Sequence, residues 1–83
     1  MCMWGRRVTA REVIRTLENL GFVVRRQRGS HARLVHTERP DARVTVSIHP
    51  GRDVSAGNLA SILRQAGVTR EEFERARRGK SYT

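Results

Sequence analysis

The run from Ala42 to His49 alternates without a break. Val44, Val46 and Ile48 fall on one side, and Arg43, Thr45, Ser47 and His49 on the other. Side chains leave a strand with a period of two, so this pattern describes a strand with one dry and one wet face. Such strands belong to an antiparallel sheet covered on one face, because a sheet buried on both faces has no reason to alternate. Two further β runs precede it, Phe22 to Gln27 and His31 to Thr37. Gly29-Ser30 separates these two, Pro40-Asp41 breaks the second from the third, and Pro50-Gly51 ends the third.

The cover for the dry face is supplied on either side of the strands. Thr9-Ala10-Arg11-Glu12 fits a capping box, with Thr9 as N-cap and Glu12 reaching back to its amide. Val8 and Val13 are placed for a hydrophobic staple, and Val13, Ile14, Leu17 and Leu20 share one helical stripe. Gly21 is suited to end this helix in the left-handed conformation, with Phe22 folding back on the last turn. A second helix starts near Ser55, carries Leu59, Ile62, Leu63 and Ala66 on one stripe, and closes at Gly67. Thr69 to Glu72 is a second capping box, flanked by a Val68/Phe73 staple, and opens a short third helix that fades into a basic tail. The expected fold is therefore α+β: helix, three-stranded antiparallel sheet, helix, short C-terminal helix. One domain spans 8–74, with 1–7 and 75–83 as flexible basic termini.

At 83 residues the chain supports one core, and its 37% hydrophobic content suffices for two layers but not for a large buried ligand cavity. No apolar run approaches the ~18 residues of a membrane span, and the first residues lack the apolar centre of a signal peptide, so a cytoplasmic location is expected. Cys2 stands alone and can form no internal disulfide. The formal net charge is +9, and 16 of the 17 basic residues are arginine. Guanidinium groups grip phosphate through paired hydrogen bonds, so this balance points to a polyanionic partner, nucleic acid first, against the plainer alternative of a solvated basic surface.

The turn at Gly29-Ser30 decides which side chains meet that partner. A loop of two or four residues would put His31 and Arg33 on the same face as Phe22 and Val24, burying charge beside core residues. An odd loop, Arg28-Gly29-Ser30, is therefore expected. Phe22, Val24, Ala32 and Leu34 then face the helices, and Arg25, His31 and Arg33 join Arg43, Thr45 and Ser47 on the open face. Arg26 falls on the core side near the sheet's end, where its stem can snorkel.

One imidazole among several guanidiniums could take the proton from a ribose 2′-hydroxyl held by phosphate contacts. Spacing alone leaves a second reading open, that of an idle surface histidine after a turn. His36 has core-facing parity and is expected to be packed and hydrogen-bonded. His49 ends the third strand on the open face, as a second site residue or simply a polar strand end. The three histidines have no carboxylate or cysteine at ligand spacing, so no metal site and no cofactor are expected.

Taken together, Leu20-Gly21-Phe22, Arg26-Gln27-Arg28-Gly29-Ser30-His31, Val44-Thr45-Val46, His49-Pro50-Gly51, Gly57-Asn58-Leu59 and Ser61 to Gly67, closing with Thr69 to Phe73, resemble the HicA (YcfA-like) family of toxins from type II toxin-antitoxin pairs. The resemblance runs over roughly residues 8 to 74. It implies a fold similar to the double-stranded-RNA-binding domain and an mRNA-cleaving activity, which without metal ligands is expected to be that of a metal-independent endoribonuclease. It also implies a HicB-type antitoxin protein as partner. The family's catalytic histidine follows Gly-Ser and maps onto His31. Arg25, Arg28, Gly29, Ser30, Arg33 and Arg43 are the candidate RNA-binding residues around it. Two other classes stay open: a non-catalytic RNA-binding module of the same fold, and a DNA-binding regulator acting in complex with an antitoxin. Against the latter, neither helix carries the polar side chains of a recognition helix.

Overall fold

The computed structural model describes residues 8–49 and 52–78. The expectations for 1–7, for the Pro50-Gly51 break and for 79–83 lie outside the described residues. The element order is α1 (Ala10–Asn19), β1 (Phe22–Arg28), β2 (His31–His36), β3 (Arg43–Ser47), α2 (Ala56–Ala66) and α3 (Arg70–Arg77). The three strands form one antiparallel sheet in the order β1-β2-β3. The expected α+β architecture holds.

Local chemistry sets the helix ends. Thr9 and Glu12 exchange the two bonds of the capping box (3.1 and 3.3 Å), as do Thr69 and Glu72 (3.0 and 2.9 Å). Each pair satisfies amides that the first helical turn leaves without partners. The Ser55 hydroxyl accepts from the Asn58 amide at 3.1 Å, and Gly67 closes α2 at φ +70°. Gly21 ends α1 at φ +103°.

The core lies between one sheet face and the helices. Phe22, Ala32, Leu34, Val44 and Val46 are buried from the sheet; Val13 and Leu17 from α1; Leu59, Ile62, Leu63 and Ala66 from α2. Ile48 packs at the core's margin. Val24 departs from expectation at 37% exposure, although its pairing with Leu34 puts it on the core side. It sits on an edge strand, immediately before an irregularity that bends β1, so the helices do not cover it.

The C-terminal boundary also moves. α3 continues to Arg77, past the expected limit at residue 74. Phe73 is fully buried and Ala76 nearly so, with α3 packed on α1. Arg77 Nη2 donates to Glu74 Oε2 at 2.8 Å, and Nη1 to Glu12 Oε2 at 3.3 Å. The residues 75–77 assigned to a flexible tail are thus part of the packed domain, because Ala76 and Arg77 both find partners on α1's side.

Candidate nucleic-acid interface

The hairpin that presents His31 is built differently from the expected odd loop. Arg28 pairs directly with His31, leaving a two-residue loop of Gly29 and Ser30. Gly29 alone has positive φ (+55°), the requirement of a type II′ turn at its first central position. Parity is restored inside the strand. The register passes from Val24↔Leu34 to Arg26↔Arg33, so Arg25 is an extra residue in a β-bulge. An even loop plus one bulged residue reverses the facing as an odd loop does.

This substitution of one device for another changes the side of the residues after the bulge: Gln27, paired with buried Ala32, turns towards the helices. Arg26 pairs with Arg33 and belongs to the open face, not the core side as expected. The sequence holds a sign of the bulge in Val23-Val24-Arg25-Arg26, where like residues come in pairs and the strand period fails.

Two adjoining hollows mark the open face. One is lined by Arg26, Arg28, Gly29, His31, Arg33 and Thr45, the other by Arg25, Arg26, Arg33, Val35 and Arg43. Arg26 and Arg33 line both, so the two form a continuous trough. His31 lies towards one end, paired with Arg28 and Ser47 on its two sides, and it is exposed. Among the described residues, none of these five arginines makes a side-chain hydrogen bond or ion pair within the chain. Guanidiniums at cross-strand spacing repel by up to about 1 kcal/mol per pair even in a water-like dielectric, and a bound polyanion relieves that repulsion.

The expected site residues divide accordingly. His31, Arg28, Gly29 and Arg33 share the first hollow, and Arg25 and Arg43 lie in the second. Ser30 lines neither; its carbonyl accepts from the Ile48 amide at 2.6 Å and ties the turn to β3. Among the candidate RNA-binding residues it therefore serves to position the turn, not to line the trough.

His36 lies away from this face. Its Nδ1 accepts from the Glu38 amide (3.0 Å), which leaves the ring hydrogen on Nε2, 3.1 Å from the Leu20 carbonyl that accepts it. Its ring meets Phe22 edge-on, with centroids 5.0 Å apart. His49 is exposed and lines a second cleft along the outer edge of β3, which shares Thr45 with the His31 hollow and has Ser47, Arg52, Asn58 and Gln65 around it. Gln65 Oε1 accepts from the edge amide of Thr45 at 3.4 Å. This cleft was not legible in the strand pattern, since it depends on how elements meet.

Among the described residues, no three His, Cys, Asp or Glu side chains gather as a metal site, and no helix is long and apolar enough to cross a membrane. Comparison with curated proteins finds no match. The family model for the HicA toxin of bacterial toxin-antitoxin systems matches residues 10–68, from the start of α1 through the end of α2, so this chain belongs to the HicA toxin family.

Proposed function

We propose that this chain is a metal-independent endoribonuclease that cuts mRNA with His31 as its catalytic group. Membership of the family implies pairing with an antitoxin, and the proposal takes that partner to be of HicB type and to cover the trough. The reading rests chiefly on one observation: an exposed imidazole flanked by Arg26, Arg28 and Arg33, whose guanidiniums have no partners in the chain among the described residues.

The chemistry follows from what each group can do. Arginines 25, 26, 28, 33 and 43 hold the RNA backbone by charge and do not read its sequence. His31 takes the proton of a 2′-hydroxyl as that oxygen attacks the adjacent phosphorus. The bond to the 5′-oxygen breaks, leaving a cyclic phosphate and a 5′-hydroxyl. Guanidiniums beside the phosphorus offset the charge that develops on its oxygens. A positioned base supplies ~10²–10⁴-fold, and orientation and electrostatics supply the remainder. The reaction occurs where the chain meets mRNA, in the cytoplasm.

His31→Ala should lower RNA cleavage by ~10²–10⁴-fold and leave RNA affinity within a few-fold, because backbone contacts carry most of the binding. Wild-type protein that binds RNA without cutting it would instead make the chain a binding module. A preference for duplex DNA over RNA would make it a regulator.

A further inference from the structure

One step of the proposed cleavage has no group assigned to it. When the bond to the 5′-oxygen breaks, that oxygen carries the negative charge and must receive a proton, while His31 has just gained one from the 2′-hydroxyl. We infer that His49 delivers this second proton, as a general acid acting on the leaving nucleotide; the inference rests on the nuclease reading above.

Register places the two histidines together. His31 pairs with Ser47 across β2 and β3, and the ladder continues past the strand end through the Ile48 amide and the Ser30 carbonyl (2.6 Å). His49 lies two residues beyond Ser47, on the same side by strand alternation. Diagonal neighbours of this kind are about 7–8 Å apart at Cα, a spacing that two imidazoles on either side of one phosphodiester can bridge. The His49 carbonyl accepts from the Arg52 amide at 3.0 Å, which holds the main chain just after the strand.

Elimination leaves the same residue. Arginine keeps its proton at any working pH, and the hydroxyls of Thr45 and Ser47 do not titrate near neutrality. His36 is turned away, with both ring nitrogens engaged by Leu20 and Glu38. Among the described residues lining the His31 hollow and the adjoining β3 cleft, His49 is the one further imidazole, the kind of side chain best suited to passing protons in catalysis. Its surroundings suit a leaving nucleotide. The cleft presents the amides of Asn58 and Gln65, the Ser61 hydroxyl and Arg52, which can hydrogen-bond a base and its sugar. The nucleotide that keeps the phosphate then lies over the His31 hollow, and the one that departs lies along the outer edge of β3.

The test compares two leaving groups. An RNA oligonucleotide containing one mapped cleavage site is made with an ordinary phosphodiester and with sulfur in place of the bridging 5′-oxygen at that site. A thiolate departs without a proton, so it needs no general acid. His49→Ala should cut the ordinary RNA ~10²–10⁴-fold more slowly than wild type. It should cut the sulfur-bridged RNA within about tenfold of the wild-type rate, by the same chemistry that makes proton donation unnecessary. His31→Ala should stay slow on both substrates, because attack by the 2′-oxygen still needs its base. Rescue by sulfur can occur only in folded protein, and His49→Gln provides a second variant for the same comparison. The inference is overturned if His49→Ala cuts ordinary RNA at the wild-type rate, or if sulfur fails to restore its activity. Wild-type protein that cuts neither substrate overturns the nuclease reading itself, a result distinguishable from both.

Discussion

Gly21 and Gly29 both adopt positive φ, yet they are needed for different reasons. A Cβ on Gly29 would meet nothing within 4 Å, so only the backbone conformation favours glycine there. A Cβ on Gly21 would stand 2.7 Å from His36 Nε2, the atom that donates to the Leu20 carbonyl. Gly21 therefore combines a left-handed helix exit with the close approach of β2's last side chain. Gly29→Ala should destabilise the domain by about 1–2 kcal/mol, the usual penalty for a left-handed alanine. Gly21→Ala should cost at least about 1 kcal/mol more, since the histidine must also surrender a hydrogen bond. Denaturant unfolding of the two variants checks the ranking, and equal losses would show that the His36 contact carries no weight.

At the scale of elements, α3 is held to α1 by its buried Phe73 and Ala76, by Asn19 Nδ2 donating to the Ala76 carbonyl at 3.2 Å, and by one shared guanidinium. The pKa of Arg77 is raised, chiefly by its hydrogen bond to Glu74, with the charges of Glu74 and Glu12 adding to it against the opposing effect of burial. A raised value in the folded state means that its contribution is complete below the unfolded pKa and is lost only when the guanidinium deprotonates at extreme alkaline pH. Arg77→Ala should thus cost roughly 1–3 kcal/mol, by leaving Glu74 without its partner in a nearly buried position. The loss attributable to Arg77's own charge should be the same at pH 7 and pH 9. A domain this size loses about 4–8 °C of Tm per kcal/mol, so thermal melts at both pH values read the effect directly. An unchanged Tm would mean that the Arg77 ion pairs carry no weight in securing α3.

The bulge is the other element-scale device. Deleting Arg25 would make Val24↔Leu34 and Arg26↔Arg33 consecutive pairs, keeping every facing while removing the bend. The deletion variant should fold with stability within about 1 kcal/mol of wild type, since a regular ladder replaces an unpaired residue. Loss of the folded state on deletion would show that the bend itself is needed for the helices to seat.

For the molecule as a whole, the charge is spread over both layers, and what matters is which part meets RNA. If the five arginines of the trough each neutralise one phosphate of a single strand, log affinity should fall against log salt with a slope of about −3.5. Arg33→Ala should reduce the slope's magnitude by about 0.7, and Arg15→Ala, an exposed residue on α1, should leave it unchanged. Equal effects from the two would mean that diffuse charge, not the open sheet face, does the binding. Salt titration of a fluorescent oligonucleotide distinguishes them.

Everything governed by near neighbours was readable from the chain itself. Both capping boxes, the helix exits at Gly21 and Gly67, the period-two run over Val44 and Val46, and the core stripes on α1 and α2 depend on residues within a turn or a strand of one another. The family membership was readable too, because its motifs are short and local. Tertiary structure alone decided how the hairpin kept its parity. An odd loop and an even loop with a bulge give the same facing for His31, and only pairing against β2 shows that Arg25 is the extra residue and that Arg26 lies outside. The same is true of Ala76 and Arg77, which resemble a basic tail until α1 supplies Glu12 and an apolar surface. It holds again for the cleft beside His49, which exists only where the edge of β3 passes α2. Periodicity reports which way a side chain points from its own backbone; what it meets there is set by a different stretch of chain, and that contact is formed only on folding.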